Sequence, residues 1–191
     1  MFGYSQSMQL PSPVFVGFFP KITARLPDWL DNQSVTEICS VSTCISDGPE
    51  QWIRRWKHNE FGFFDAERLA YEVMDRDPAE FDLYAYKLFP LRCLGDKVEE
   101  ITLSGEPRPL PADYDFLGCD IVTRSTSSFF ECSPLSCNHA AEAYAVNEFC
   151  LIADPAAAYQ ALLEISRAGT YEPGPYYVFE VYRKRKPGAP K

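Results

Sequence analysis

The sequence predicts an α+β domain: a single, mostly antiparallel or mixed sheet of five to seven strands with three to four helices. Three observations carry this. Alternating apolar runs such as "FDLYAYKLFPLRC" at 81–93 and "GPYYVFEVYRKR" at 174–185 read as strands. Helical periodicity with punctuated ends occurs in separate blocks, best in "DPAAAYQALLEISRAG" at 154–169. The blocks do not alternate steadily as strand, helix, strand, helix, which disfavours a doubly wound parallel sheet.

In chain order, 1–12 is a loose lead-in and 13–184 is one globular domain. "PVFVGFFPK" at 13–21 places Val14, Val16 and Phe18 on one side and is a strand. "VTEICSVS" at 35–42 is a weaker strand. "SDGPEQWIRRWKHNEFG" starts a helix at Pro49, with Trp52, Ile53 and Trp56 on one stripe. "FDAERLAYEVMDRD" starts a second at an Asp65 cap, with Leu69, Ala70 and Val73 inward. After the strand at 81–93 comes a Pro- and Gly-rich connection over 94–115 that holds a short "EITL" strand. "CDIVTRS" at 119–125 is a strand with "SSFFECS" as its hairpin partner, and "NHAAEAYA" is a short helix capped by Asn138. "NEFCLIA", the helix at 154–168 and the strand at 175–184 together suggest a C-terminal βαβ unit. Residues 185–191 form a basic tail. The two CSxxxC segments, "CSVSTC" at 39–44 and "CSPLSC" at 132–137, are the internal repeat that the sequence shows by eye.

Composition narrows the function classes. Hydrophobic residues at 46% and charged residues at 24% mark a globular chain able to form its own core. A net charge of -9 disfavours nucleic acid and anionic membrane, since phosphate contacts need clustered Lys and Arg. No apolar stretch reaches the roughly 20 residues of a membrane helix, and the start of the chain lacks a basic region before its short apolar run. The expectation is therefore a cytoplasmic chain whose seven cysteines are thiols or ligands. The sequence leaves the oligomeric state open.

Phosphate-loop, dinucleotide, nucleophile-elbow and zincin motifs are absent. The expected role is thus a non-catalytic interaction or accessory module of the immunity or inhibitor kind, without a cofactor, whose partner is another protein. Tyr84, Tyr86, Tyr176 and Tyr182, with Arg124, are its candidate binding residues, because tyrosine offers a large ring and a polar tip at low entropic cost. The alternative is a cysteine-dependent hydrolase or transferase on "ECSPLSCNH". There Cys137 precedes a helix start that would favour its thiolate, His139 or the distant His58 would act as base, and Cys132 and Glu131 stand close by. Cys39, Cys44, Cys132 and Cys137 also supply the four sulfurs of a zinc site. Their spacers are wide and lack the glycine of a zinc knuckle, so the expectation is a metal-free pair of structural segments.

The run "TRSTSSFFE" at 123–131 resembles, in residue type only, the Arg, Ser-Thr-Ser and Glu set with which ADP-ribosyltransferases hold NAD. In that family the three parts come from separate strands. Here they are nearly contiguous, and Glu180 would have to act as the distant carboxylate.

Overall fold

A computed structural model describes residues 10–23, 26–44, 58–75, 80–104, 108–124 and 131–186. The helix expected from Pro49, the centre of the "TRSTSSFFE" run and the end of the basic tail lie outside these residues.

Among the described residues six strands form one sheet: β1 (Val14–Lys21), β2 (Asp82–Leu88), β3 (Leu91–Leu94), β4 (Lys97–Glu100), β5 (Tyr114–Thr123) and β6 (Tyr176–Lys184). Among the described residues three α-helices accompany it: α1 (Glu67–Met74), α2 (Pro134–Cys137) and α3 (Pro155–Ala168), with a 3₁₀ turn at Ala140–Glu142. The α+β class is as the sequence predicts.

β6 is the spine. It pairs with β2 and β3 on one side and with β5 on the other, while β1 flanks β2 and β4 flanks β3. Every one of these pairings is antiparallel, so no parallel pair flanks α3 among the described strands. The segment 147–153 is not a ladder strand. It makes a single antiparallel bridge, Ile152 to Cys119. Likewise 35–42 is irregular, its backbone N–H groups at Thr36, Glu37 and Cys39 donating to the carbonyls of Glu148 and Phe149. The short strand lies at Lys97–Glu100, before "ITL", because Gly95 turns the chain into a hairpin with β3. Of the expected hairpin after β5, the described part is present: Glu131 donates to Thr123 and Thr123 to Cys132.

Laid side by side, the registers expose a second repeat. In β1 a bulge precedes Gly17, which faces Tyr86 of β2; in β5 a bulge precedes Gly118, which faces Val181 of β6. Tyr86 and Val181 face each other in turn. β1–β2 and β6–β5 are therefore related by a pseudo-twofold through that pair.

The loops follow the same operation. "NEFGFF" at 59–64 bridges back to β1 through Phe64 and Phe18, and "NEFCLI" at 147–152 bridges back to β5 through Ile152 and Cys119. Asn59 accepts from the N–H groups of Phe61 and Phe63 and donates to the Val16 carbonyl. Asn147 accepts from Phe149 and Leu151 and donates to the Leu117 carbonyl. Each loop then enters a helix, whose caps Ala66 and Asp154 correspond, as do the fully buried Ala70 and Ala158.

The glycines are required. At φ +141° and +145°, a Cβ on Gly17 or Gly118 would stand 2.8 Å from the Cβ of Phe63 or Leu151. The bulge thus brings the Asn-Glu-Phe loop against the strand edge and caps it. This is one way a sheet edge is closed to other chains.

α3 packs on β3, β5 and β6, burying Ala158, Tyr159, Leu162 and Ile165 with Ile121 and Val178. α1 packs on β1. A second core holds Phe19, Phe63, Phe64, Tyr84, Tyr86, Phe179 and Val181, with Cys39 and Val41 from the first CSxxxC segment packed in. Among the described residues no helix is long and apolar enough to cross a membrane.

Candidate functional site

The pseudo-twofold breaks at the two CSxxxC segments, and the break creates the site. Asp120 of β5 is fully buried, where its first-half counterpart is the apolar Phe19. Its carboxylate is the common anchor of both segments. Oδ2 accepts from Ser40 Oγ at 2.7 Å and from the Val41 N–H at 2.8 Å. Oδ1 accepts from Ser133 Oγ at 2.6 Å and from the Ile121 N–H at 2.9 Å. The serine that follows the first cysteine in each motif thus donates to one shared acid.

Lys21, at the end of β1, is buried beside it. Its ammonium donates to the carbonyls of Ser40 and Ser42, 2.5 Å each. These bonds fix the turn that carries Cys44. Burial pulls the Lys21 pKa down to about 8, against the opposing field of Asp120. Burial likewise pushes Asp120 up to about 6, against its three strongest hydrogen bonds.

The clasp brings three sulfurs together. The Sγ atoms of Cys44, Cys132 and Cys137 all lie within 4.8 Å of one another. Cys137 is placed by α2, whose Pro134 start follows the Ser133 anchor. The short α-helix lies at Pro134–Cys137, because Pro134 fits the first helical position and Asn138 ends the turn, and of the helix expected at 138–145 the 3₁₀ turn Ala140–Glu142 is present. Cys44 is exposed, Cys137 half-buried and Cys132 buried.

Polar groups surround the cluster. Asn138 Nδ2 donates to Cys132 Sγ at 3.2 Å, and the hydroxyls of Ser136 and Ser42 lie 3.8 and 3.9 Å from Cys137 Sγ. The Glu131 carbonyl accepts from Ser42 Oγ and from Cys44 Sγ. The contacts with Cys137 and Cys44 push the Cys132 thiol well up, since its anion would stand beside two other sulfurs. The contacts with Cys132 and Cys137 pull the Cys44 thiol down.

Cys39 does not join. Its buried sulfur accepts from the Tyr84 hydroxyl at 3.5 Å, and burial raises its pKa to about 11. The two segments therefore meet through three of their four cysteines. Spacing treats the four alike; the tertiary anchor at Asp120, which has no local sequence signature, separates them.

His139 is turned to other partners. Its φ is 61°, its Nδ1 pairs with Glu142 at 3.0 Å, and its ring lies on Trp29 at 4.6 Å. An open cleft of about 360 Å3 beside it is lined by Asn138, His139 and Thr170–Pro173, without a cysteine. Another cleft, about 430 Å3, lies between β1 and the Asn59 loop, and its charged groups are paired as Arg108–Asp65 and Glu60–Ser104.

Tyr84, Tyr86 and Tyr176 are buried, and their rings fill the core instead of facing outward. Burial follows from their strands being central, with both faces covered. Tyr182 is half-exposed and lies 5.4 Å from the exposed Phe116. Arg124 crosses to the first half, donating to the Glu60 carbonyl and lying over Phe61.

No family model, curated protein or solved structure matches this chain.

Proposed function

We propose that this chain is a non-catalytic accessory module that acts by binding another protein. The observation that carries the reading is the state of the thiol cluster. It assembles both CSxxxC segments. Among the described residues, no histidine nitrogen hydrogen-bonds a cluster sulfur, and His139 is engaged by Glu142 and Trp29. A thiol nucleophile needs a base within reach and a cleft that opens onto the sulfur. The net charge of -9 favours a partner with a basic face. Phe116 beside Tyr182 offers such a partner an aromatic contact, with the Lys87 ammonium 5.1 Å from the Tyr182 ring.

The test is turnover. The reduced chain is assayed with activated esters, thioesters and peptides, alongside Cys137→Ser and His139→Ala. The expected result is a slow, non-saturable reaction no faster than free thiol. Saturable turnover lost in both variants would overturn the reading in favour of a cysteine-dependent hydrolase or transferase.

A further inference from the structure

We propose that Cys44, Cys132 and Cys137 are the protein ligands of one zinc ion, held in the gap among their three sulfurs. The inference rests on the non-catalytic reading and names the ligand of that same site.

Geometry comes first. Three thiolates at about 2.3 Å from a tetrahedral zinc stand about 3.8 Å apart. The three sulfurs already lie within 4.8 Å of one another, so loading needs only a small contraction. They come from two segments, one to each side of Asp120, which pre-forms the gap before any ion arrives. A soft all-sulfur set excludes magnesium and calcium, which take oxygen ligands.

The surroundings are those of a metal centre. Asn138 donates to Cys132 Sγ, and the Ser42 and Ser136 hydroxyls stand beside Cys137 Sγ. Such outer contacts orient thiolates and spread their charge. Three thiolates and Zn²⁺ leave one net negative charge. The buried Lys21 ammonium, bonded to the Ser40 and Ser42 carbonyls in the loop that carries Cys44, offsets it. On loading, each S–H that becomes an S–Zn bond gives its proton to solvent, and no electrons are transferred. With Cys44 exposed, water can reach the ion and takes the fourth position. Three anionic sulfurs leave the ion a weak Lewis acid, in keeping with a site that holds without turning over.

The sequence-based expectation of a metal-free pair counted four cysteines with wide spacers. The structure uses one cysteine from the first segment and two from the second, so the spacer within the first segment no longer matters.

The test uses the full reduced chain. It is loaded with Zn²⁺, dialysed and analysed for metal, then loaded with Co²⁺ and examined for thiolate-to-cobalt absorption. Expected are about one zinc per chain and a thiolate-type cobalt spectrum. Both should be lost in Cys44→Ser and Cys137→Ser and kept in Cys39→Ala, which alters the same motif outside the cluster. Asn138→Ala should weaken zinc about 10- to 100-fold. Circular dichroism checks the fold of each variant; Cys44 is exposed, so its variant keeps the metal readout clear of folding. No retained zinc overturns the inference. So does zinc lost equally in Cys39→Ala, or a disulfide within the cluster that persists under reductant and blocks loading. Failure here without saturable turnover leaves the non-catalytic reading standing, whereas saturable turnover defeats that reading whether or not zinc binds.

Discussion

Asp120 shows how one buried residue sets the chemistry around it. An ionised carboxylate without water is costly unless donors surround it, and four donors do. Asp120→Ala would leave the Ser40 and Ser133 hydroxyls and the Val41 N–H without this acceptor. We expect a loss on the order of 3–5 kcal/mol in urea unfolding. The pH dependence has a definite sign. The folded pKa of about 6 lies above the unfolded value near 3.9. The folded chain therefore holds this proton more tightly, and the stability it contributes is complete below about pH 4 and lost as pH rises through about 6. Asp120→Asn cannot titrate. Its destabilisation relative to wild type should be largest near pH 4 and shrink towards pH 7; a gap constant over that range would contradict the assignment.

Tyr86, at the pseudo-twofold, is the opposite case: its buried hydroxyl has no hydrogen-bond partner among the described residues. Tyr86→Phe removes that unpaired group and keeps the ring. Thermal unfolding should show a variant equal to wild type or more stable by about 1 kcal/mol. Clear destabilisation would mean that the hydroxyl is satisfied.

At the scale of elements, α3 is the clearest case of local determination. Asp154 Oδ1 accepts from the Ala157 N–H at 2.8 Å, Pro155 opens the helix, and Gly169 closes it at φ 61°. Asp154→Ala should cost about 1 kcal/mol. Leu162 is 2% exposed in the core beneath this helix, so Leu162→Ala should cost on the order of 2–5 kcal/mol. A change of under about 0.5 kcal/mol in denaturant unfolding would place that face outside the core. The strands at 14–21 and 176–184 were equally legible, because alternation records burial directly, whereas the one strand expected over 81–93 is broken at Phe89 and Pro90 into β2 and β3. The stretches 35–42 and 147–153 misled for a physical reason. Their apolar side chains are buried, as a strand's would be, but their backbones are satisfied by each other and by side chains such as Asn147.

The pseudo-twofold belongs to the molecule as a whole. It predicts that equivalent residues do equivalent work. Asn59→Ala and Asn147→Ala each remove one donor and one shared acceptor from a loop that closes a strand edge. Each should cost about 2–4 kcal/mol, and the two losses should be similar in the same unfolding experiment. A large loss at one site with none at the other would show that only one half depends on its loop. The sequence carried this repeat as Asn-Glu-Phe twice and a glycine in two strands, but a few shared letters do not stand out until the registers align them.

By itself, then, the sequence determined what is local. It set the α+β class, the strands whose alternation reports burial, and the helix whose caps are written at its ends. The tertiary structure alone decided what depends on distant meetings. It buried the tyrosines by placing their strands at the centre, made Asp120 the anchor of two serines 93 positions apart, and sent Cys39 into the core while Cys44 joined Cys132 and Cys137. Neither the spacing nor the chemistry of a CSxxxC segment distinguishes its two cysteines. A buried carboxylate on another strand does, because its donors must come to it.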